Sequence, residues 1–184
     1  MDNRLKNCLL ELHKIEAIQF GMFTLKSGQQ SPFYIDLRTI ISYPSLLQQI
    51  ADLMWERVKP LSFMRICPVP YAALPIATAL SLSHHKPMLF RRKEVKAHGT
   101  KKIIEGHFEK TNSCLVVDDL VTSGLSLLET IEPLEQSGLI VKDVLVFIDR
   151  EQGGKEALQA KGYTLHSVVS VTELFSLLKN EKQL

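Results

Sequence analysis

Five short apolar runs, RICPVP, PMLFR, CLVVDD, DVLVFIDR and TLHSVVSV, follow one another between residues 65 and 171, and stretches of helical spacing come after most of them, 125–136 and 154–161 among them. Each run is continuous rather than alternating, so both faces of the strand it makes must be shielded from water. Strands of that kind alternating with helices predict an α/β fold, a central, mostly parallel sheet flanked by helices. Ligands of such sheets sit beyond the carboxyl ends of the strands. Asp118 and Asp119 close the run CLVVDD, which brings two acids to the place where a central strand meets that crevice.

The segment ahead of the runs is organised differently. Leu5, Leu9, Leu12, Ile15 and Ile18 recur at three- and four-residue intervals and predict a helix of about five turns. MFTLKSGQQSPFYIDLR then reads as two short strands around a Ser27-Gly28 turn. Pro44 suits the first turn of a further helix with Leu47, Ile50, Leu53, Met54 and Val58 on one stripe, ended by Pro60. No repeat, low-complexity tract or linker divides the 184 residues, so we expect one domain over 1–184, with a helix and small hood in 1–40 and the core in 41–184.

Charge is unevenly distributed. The formal net charge of +2 argues against a general nucleic-acid binder, yet RRKEVKAHGTKK (91–102) sets six basic residues against Glu94 alone and leaves the remainder of the chain acidic. By itself this run fits a solvated basic face or a weak RNA contact. Within a compact domain, a long polar excursion is more often functional, and residues 93–106 read as a flexible lid loop. Cys8, Cys67 and Cys114 are odd in number and scattered among apolar neighbours, as reduced, packed thiols are. With neither a secretory leader pattern nor an apolar stretch of about 18 residues, the expectation is a soluble, cytoplasmic protein without membrane contact.

After the acid pair comes LVTSGLS, in which Thr122, Ser123, Gly124 and Ser126 are all small and the helical run Leu127, Leu128, Ile131, Leu134 follows. Small residues let backbone N–H groups converge on an anion, and the helix N-terminus adds favourable partial charge. The stretch is neither a Walker loop nor a dinucleotide fingerprint. Adjacent carboxylates repel phosphate, so their partners are hydroxyls or a hydrated divalent cation. A ribose 5-phosphate satisfies the cup and the acids together; a plain strand, acidic turn and capped helix is the alternative.

The two acids, threonine and glycine after a buried strand resemble the phosphoribosyl-diphosphate motif of the type I phosphoribosyltransferases. FTLKSGQQSPFYIDLR (23–38), RRKEVKAHGTKKIIEG (91–106) and DREQGG (149–154) resemble, in order and at similar spacing, segments of the orotate phosphoribosyltransferase family. VPYAALPIA and DREQGG are most similar to the phosphoribosyltransferase half of fused UMP synthases, whose decarboxylase half this chain is too short to include.

The resemblance implies a type I phosphoribosyltransferase fold and transfer of phosphoribose to orotate, with Mg2+ held by the diphosphate and through water near Asp118 and Asp119 rather than directly by side chains. It further implies that Lys26, Arg92, Lys93, Lys96 and His98 bind the diphosphate, with Lys96, Asp118 and Asp119 catalytic. Asp118, Asp119, Leu120, Val121, Thr122, Ser123, Gly124, Leu125 and Ser126 take the phosphoribosyl part. Lys26, Phe33, Tyr34, Thr122 and Arg150 face orotate, although the aromatic pair also reads as ordinary core, Lys26 as an exposed strand-edge lysine and Arg150 as a salt-bridge partner of Asp149 or Glu151. The implied assembly is a homodimer whose lid loop reaches the neighbouring subunit's site, and an orotidine-monophosphate decarboxylase is a candidate partner. Two positions depart from the family pattern: Tyr71-Ala72-Ala73-Leu74 lacks a lysine found in many bacterial relatives, and Ala97 stands where an acid is usual. His84 and His85 read as helix-end residues rather than a zinc site.

Overall fold

The computed structural model describes residues 2–24, 30–92 and 103–180. The chain begins with α1 (Asn3–Lys14), followed by β1 (Ile18–Thr24) and β2 (Gln30–Ile35), an antiparallel pair. A 3₁₀ segment (Leu37–Ser42) leads into α2 (Pro44–Val58). There follow β3 (Arg65–Pro68), α3 (Ala73–His84), β4 (Phe90–Arg91), β5 (Ile104–Glu105), β6 (Ser113–Val121), α4 (Leu125–Gln136), β7 (Ile140–Asp149), α5 (Gly154–Ala160), β8 (Thr164–Ser170) and α6 (Val171–Asn180).

The sheet has four parallel strands in the order β3-β6-β7-β8. Its two faces are covered separately, as continuous apolar strands require. Leu115, Val117, Leu145 and Phe147 join the core built with α1, α2 and α6, whereas Cys114, Val116, Val144 and Val146 join a second core with Leu127, Ile131 and Leu134 of α4. The three thiols are buried and unpaired, and burial pushes Cys8 and Cys67 up to about 12. No helix among the described residues is long and apolar enough to cross a membrane.

Three expectations need correction. The first helix ends at Lys14, because Glu16 adopts a left-handed φ of 60° and the Ala17 N–H turns back to the Leu12 carbonyl at 3.0 Å. Ile18 therefore opens a strand although it falls in phase with the helical stripe. The run PMLFR adds no full strand to the sheet: Met88 forms one parallel bridge with Ile66, and the chain then turns into the antiparallel β4–β5 ribbon. Residues 103–106 of the expected lid are likewise anchored, with Ile104 buried in β5. As expected, α2 starts on Pro44, α4 spans 125–136, and His84 and His85 end α3, where His84 stacks on Trp55 at 3.9 Å between centroids.

Candidate functional site

Strands β3, β6 and β7 run in parallel and so end on the same edge of the sheet. Immediately beyond β3 the chain makes a cis peptide between Pro70 and Tyr71, and beyond β6 it turns through Thr122–Gly124 into α4. A cavity of about 350 Å³ lies here, walled by Arg38, Val69–Ala72 and Asp118–Leu127.

β6 stays paired with β7 as far as Val121, opposite Asp149, so the two acids ride on the strand rather than after it. That pairing fixes their backbone and buries Asp118 to 7% exposure. Asp118 accepts the Asp119 N–H at 2.9 Å, and Asp119 accepts the Leu120 N–H at 2.9 Å. These local bonds leave most of the carboxylates' acceptor capacity unused. Burial, and then the charge of Asp119, push the Asp118 carboxyl well above the usual range; burial raises Asp119 too. Two acids in so dry a place favour hydroxyls or added positive charge as partners.

The cup is built of backbone. Gly124 takes φ 81°, a left-handed conformation that costs glycine little, and from it α4 starts without any side-chain cap. The first N–H groups of the helix consequently have no capping side chain and belong to the cavity wall, an arrangement suited to an anion. Leu120, Val121, Thr122, Ser123, Gly124, Leu125 and Ser126, all expected to bind phosphoribose, meet on this wall with both acids.

Arg150 follows β7 and donates its backbone N–H to the Val121 carbonyl at 3.0 Å, which ties it to the end of β6. Its side chain forms no ion pair with Asp149 or Glu151. Asp149 accepts the Glu151 N–H at 2.8 Å, and Glu151 instead accepts the Thr172 N–H at 3.0 Å from α6. Nε and Nη2 of Arg150 are buried without a hydrogen-bond partner, and burial lowers its pKa. The guanidinium lies 5.0 Å from the centroid of Phe33, which packs edge-on against Phe175 at 4.7 Å.

Phe33 and Tyr34 do not form one wall. Successive residues of a strand face opposite ways, so Phe33 is buried in the core under Arg150 while Tyr34 is exposed and lies against Phe23. Arg92 is absent from the cavity wall; it pairs with Glu105 at 2.9 Å, and its N–H closes the ribbon on Ile103. Lys26, Lys93, Lys96, Ala97 and His98 lie outside the described residues. Tyr71 and Ala72 line the cavity at the departure from the family pattern.

Arg38 escaped the sequence reading. Asp36 caps the 3₁₀ segment by accepting the Arg38 N–H at 3.0 Å and binds the Arg38 Nε at 2.7 Å, holding the guanidinium at the cavity. The signal was the Asp-Leu-Arg that follows the apolar alternation of β2, an acid two residues before a base at a turn.

No family model matches the chain. It is 45% identical over 185 residues to uridine 5'-monophosphate synthase of Bos taurus, taking in 100% of this chain and 38% of that protein. It is 41% identical over 180 residues to orotate phosphoribosyltransferase of Chlamydia caviae, with 97% of this chain and 87% of that protein covered. The crystal structure of orotate phosphoribosyltransferase from Aeropyrum pernix matches with a TM-score of 0.82 at 33% identity, covering 95% of this chain and 98% of that one. The chain thus spans little more than a third of the bovine relative and most of the other two. With a parallel sheet, an acid pair and an uncapped helix start at one strand edge, and near-full-length likeness to proteins of that name, the chain belongs to the orotate phosphoribosyltransferase family.

Proposed function

We propose that this chain transfers the 5-phosphoribosyl group from 5-phospho-α-D-ribose 1-diphosphate to orotate, giving orotidine 5′-monophosphate and diphosphate. One observation carries the reading: a single cavity joins an uncapped helix N-terminus to two adjacent carboxyls, the buried Asp118 and the half-buried Asp119, on the strand that feeds it. The N–H groups and hydroxyls of 122–126 take the 5′-phosphate, and Asp118 and Asp119 take the ribose hydroxyls. Displacement at a sugar carbon builds oxocarbenium-like charge, which carboxylates set beside the ring stabilise.

Orotate carries a carboxylate, and the unpartnered guanidinium of Arg150 suits it as a two-pronged donor. Pairing returns to Arg150 the charge stabilisation that burial withholds. Lys26 serves the orotate and diphosphate side, and Lys96, with Arg92, Lys93 and His98, balances the charge of the departing diphosphate. In the free protein Arg92 is engaged with Glu105, so its part requires exchange of that partner.

Magnesium fits the donor set, because two carboxyls raised by burial, Asp118 also by the charge of Asp119, gain from a nearby dication. Asp118 and Asp119 would hold it through water beside the diphosphate, where it supplies charge neutralisation to the leaving group. The further elements of the proposal are a homodimer whose lid loop covers the partner's site, a cytoplasmic place in pyrimidine synthesis, and a decarboxylase that consumes the product. The test is to mix the protein with orotate, phosphoribosyl diphosphate and magnesium and follow loss of orotate absorbance. Turnover that stops on chelation of magnesium is expected; none with all three present rejects the proposal.

A further inference from the structure

The turn 149–154 supplies Arg150, and its last residue presses on the cup itself. A Cβ placed on Gly154 would stand 2.5 Å from the Thr122 carbonyl oxygen, 2.5 Å from Val121 Cγ2 and 3.2 Å from the Gly124 nitrogen. From the other side, a Cβ on Gly124 would meet the Gly154 carbonyl oxygen at 3.3 Å. Two glycine backbones are therefore in contact, and one of them belongs to the loop that takes the anion.

We propose that Gly154 is a positioning residue for the phosphate cup. Lacking a side chain, it lets the start of α5 seat directly against Val121–Gly124 and fixes the course of a loop that lines the cavity. The proposal rests on that loop being the 5′-phosphate site. Gly154 does not occupy the left-handed region, so its own backbone accepts alanine, and the added carbon is felt in the cup. Its neighbour has the opposite character: Gly153 adopts φ 87°, yet nothing lies within 4 Å of the Cβ it would carry. Gly153→Ala therefore strains the turn without touching the loop, and Gly154→Ala displaces the loop without straining the turn.

The pair makes the test. Steady-state kinetics are measured for the wild-type protein, Gly153→Ala and Gly154→Ala, and ribose 5-phosphate is titrated against each by thermal shift. Gly154→Ala is expected to raise KM for phosphoribosyl diphosphate by about tenfold or more and weaken ribose 5-phosphate binding to match, with KM for orotate changed by less than about twofold. Gly153→Ala is expected to lower thermal stability and leave both affinities alone. Wild-type affinities in Gly154→Ala, or equal losses in the two variants, would overturn the proposal. If Gly154→Ala does not fold, Gly154→Ala with Val121→Ala removes the side-chain clash and keeps the one with the Thr122 carbonyl. Compared with Val121→Ala alone, it is expected to show the same loss, and unchanged affinity there would also overturn it. Absence of turnover by the wild-type protein rejects the transfer reaction only, because the ribose 5-phosphate titration reports on the cup separately.

Discussion

The edge of the sheet that holds the cup and the hairpin that holds Phe33 meet at Arg150, but they are stabilised by different means. β6 is hydrogen-bonded on both sides, by β3 and β7, and the loop after it rests on glycine backbone. β1 and β2 pair only with each other among the described strands and reach the core through Ile18, Phe33, Ile35 and the aromatic contacts of Phe20 and Phe33 with Phe175. The side proposed for phosphate is therefore preformed by the main chain, and the side proposed for the base depends on a few side chains. Preformed donors cost little reorganisation when a ligand arrives. If this division holds, changes at the strand end should damage chemistry, and changes at the hairpin should damage selection of the base.

The largest effect is expected from Asp118→Asn, with turnover falling roughly 10²–10³-fold as the charge beside the sugar is lost. The same change should stabilise the free protein, in a pH-dependent way. Asp118 has a raised pKa in the folded state, so from about pH 4 upward the unfolded chain gives up this proton first and the wild-type fold loses stability. Asparagine does not titrate. The Tm difference between variant and wild type should widen in the variant's favour as pH rises through that window. A variant less stable than wild type at pH 7 would show that the acid supports the strand, and the preformed picture of the cup would break.

Arg150→Ala comes second and tests the meeting point. Losing a charged, two-pronged contact is expected to raise KM for orotate about thirtyfold while KM for phosphoribosyl diphosphate moves little. Equal changes in both would mean that Arg150 acts through its tie to Val121, and the two regions would then be one unit.

The asymmetry also explains what the sequence revealed. The parallel sheet was legible because Leu115–Val117 and Val144–Ile148 are apolar on both faces, and the acids and small residues after them stood at the strand end by necessity. α2 was legible from Pro44 onward since proline is suited to a first helical turn. The end of α1 was hidden because Ile15 and Ile18 keep the helical phase while Glu16 breaks the backbone, and periodicity carries no record of φ. Arg38 and Gly154 were missed for a related reason: their significance lies in what the fold brings against them, Asp36 and the cavity in one case, the Thr122 carbonyl in the other. Phe33 and Tyr34 were read as a pair, although a strand parts neighbours by design.

Phe33→Leu gives the smallest effect and the finest discrimination. Leucine keeps most of the buried volume and leaves the Arg150 side chain chemically intact, so a ring used only as filler would be nearly silent in kinetics. The ring does more than fill space: its centroid lies 5.0 Å from the guanidinium carbon and 4.7 Å from the centroid of Phe175 in a T-shaped pair. A half-buried cation over an aromatic face gains about 1 kcal/mol, and on the proposed reading that gain holds Arg150, whose Nε and Nη2 have no hydrogen-bond partner, in one orientation for orotate. Removing it should raise KM for orotate by about three- to fivefold with kcat unchanged, and the lost aromatic pair should lower stability by about 1 kcal/mol. Phe33→Tyr, which keeps the face, should restore the kinetics even if its hydroxyl disturbs packing. A leucine variant with wild-type KM and lowered Tm would assign Phe33 to the core alone and leave Arg150 oriented by its backbone tie to Val121.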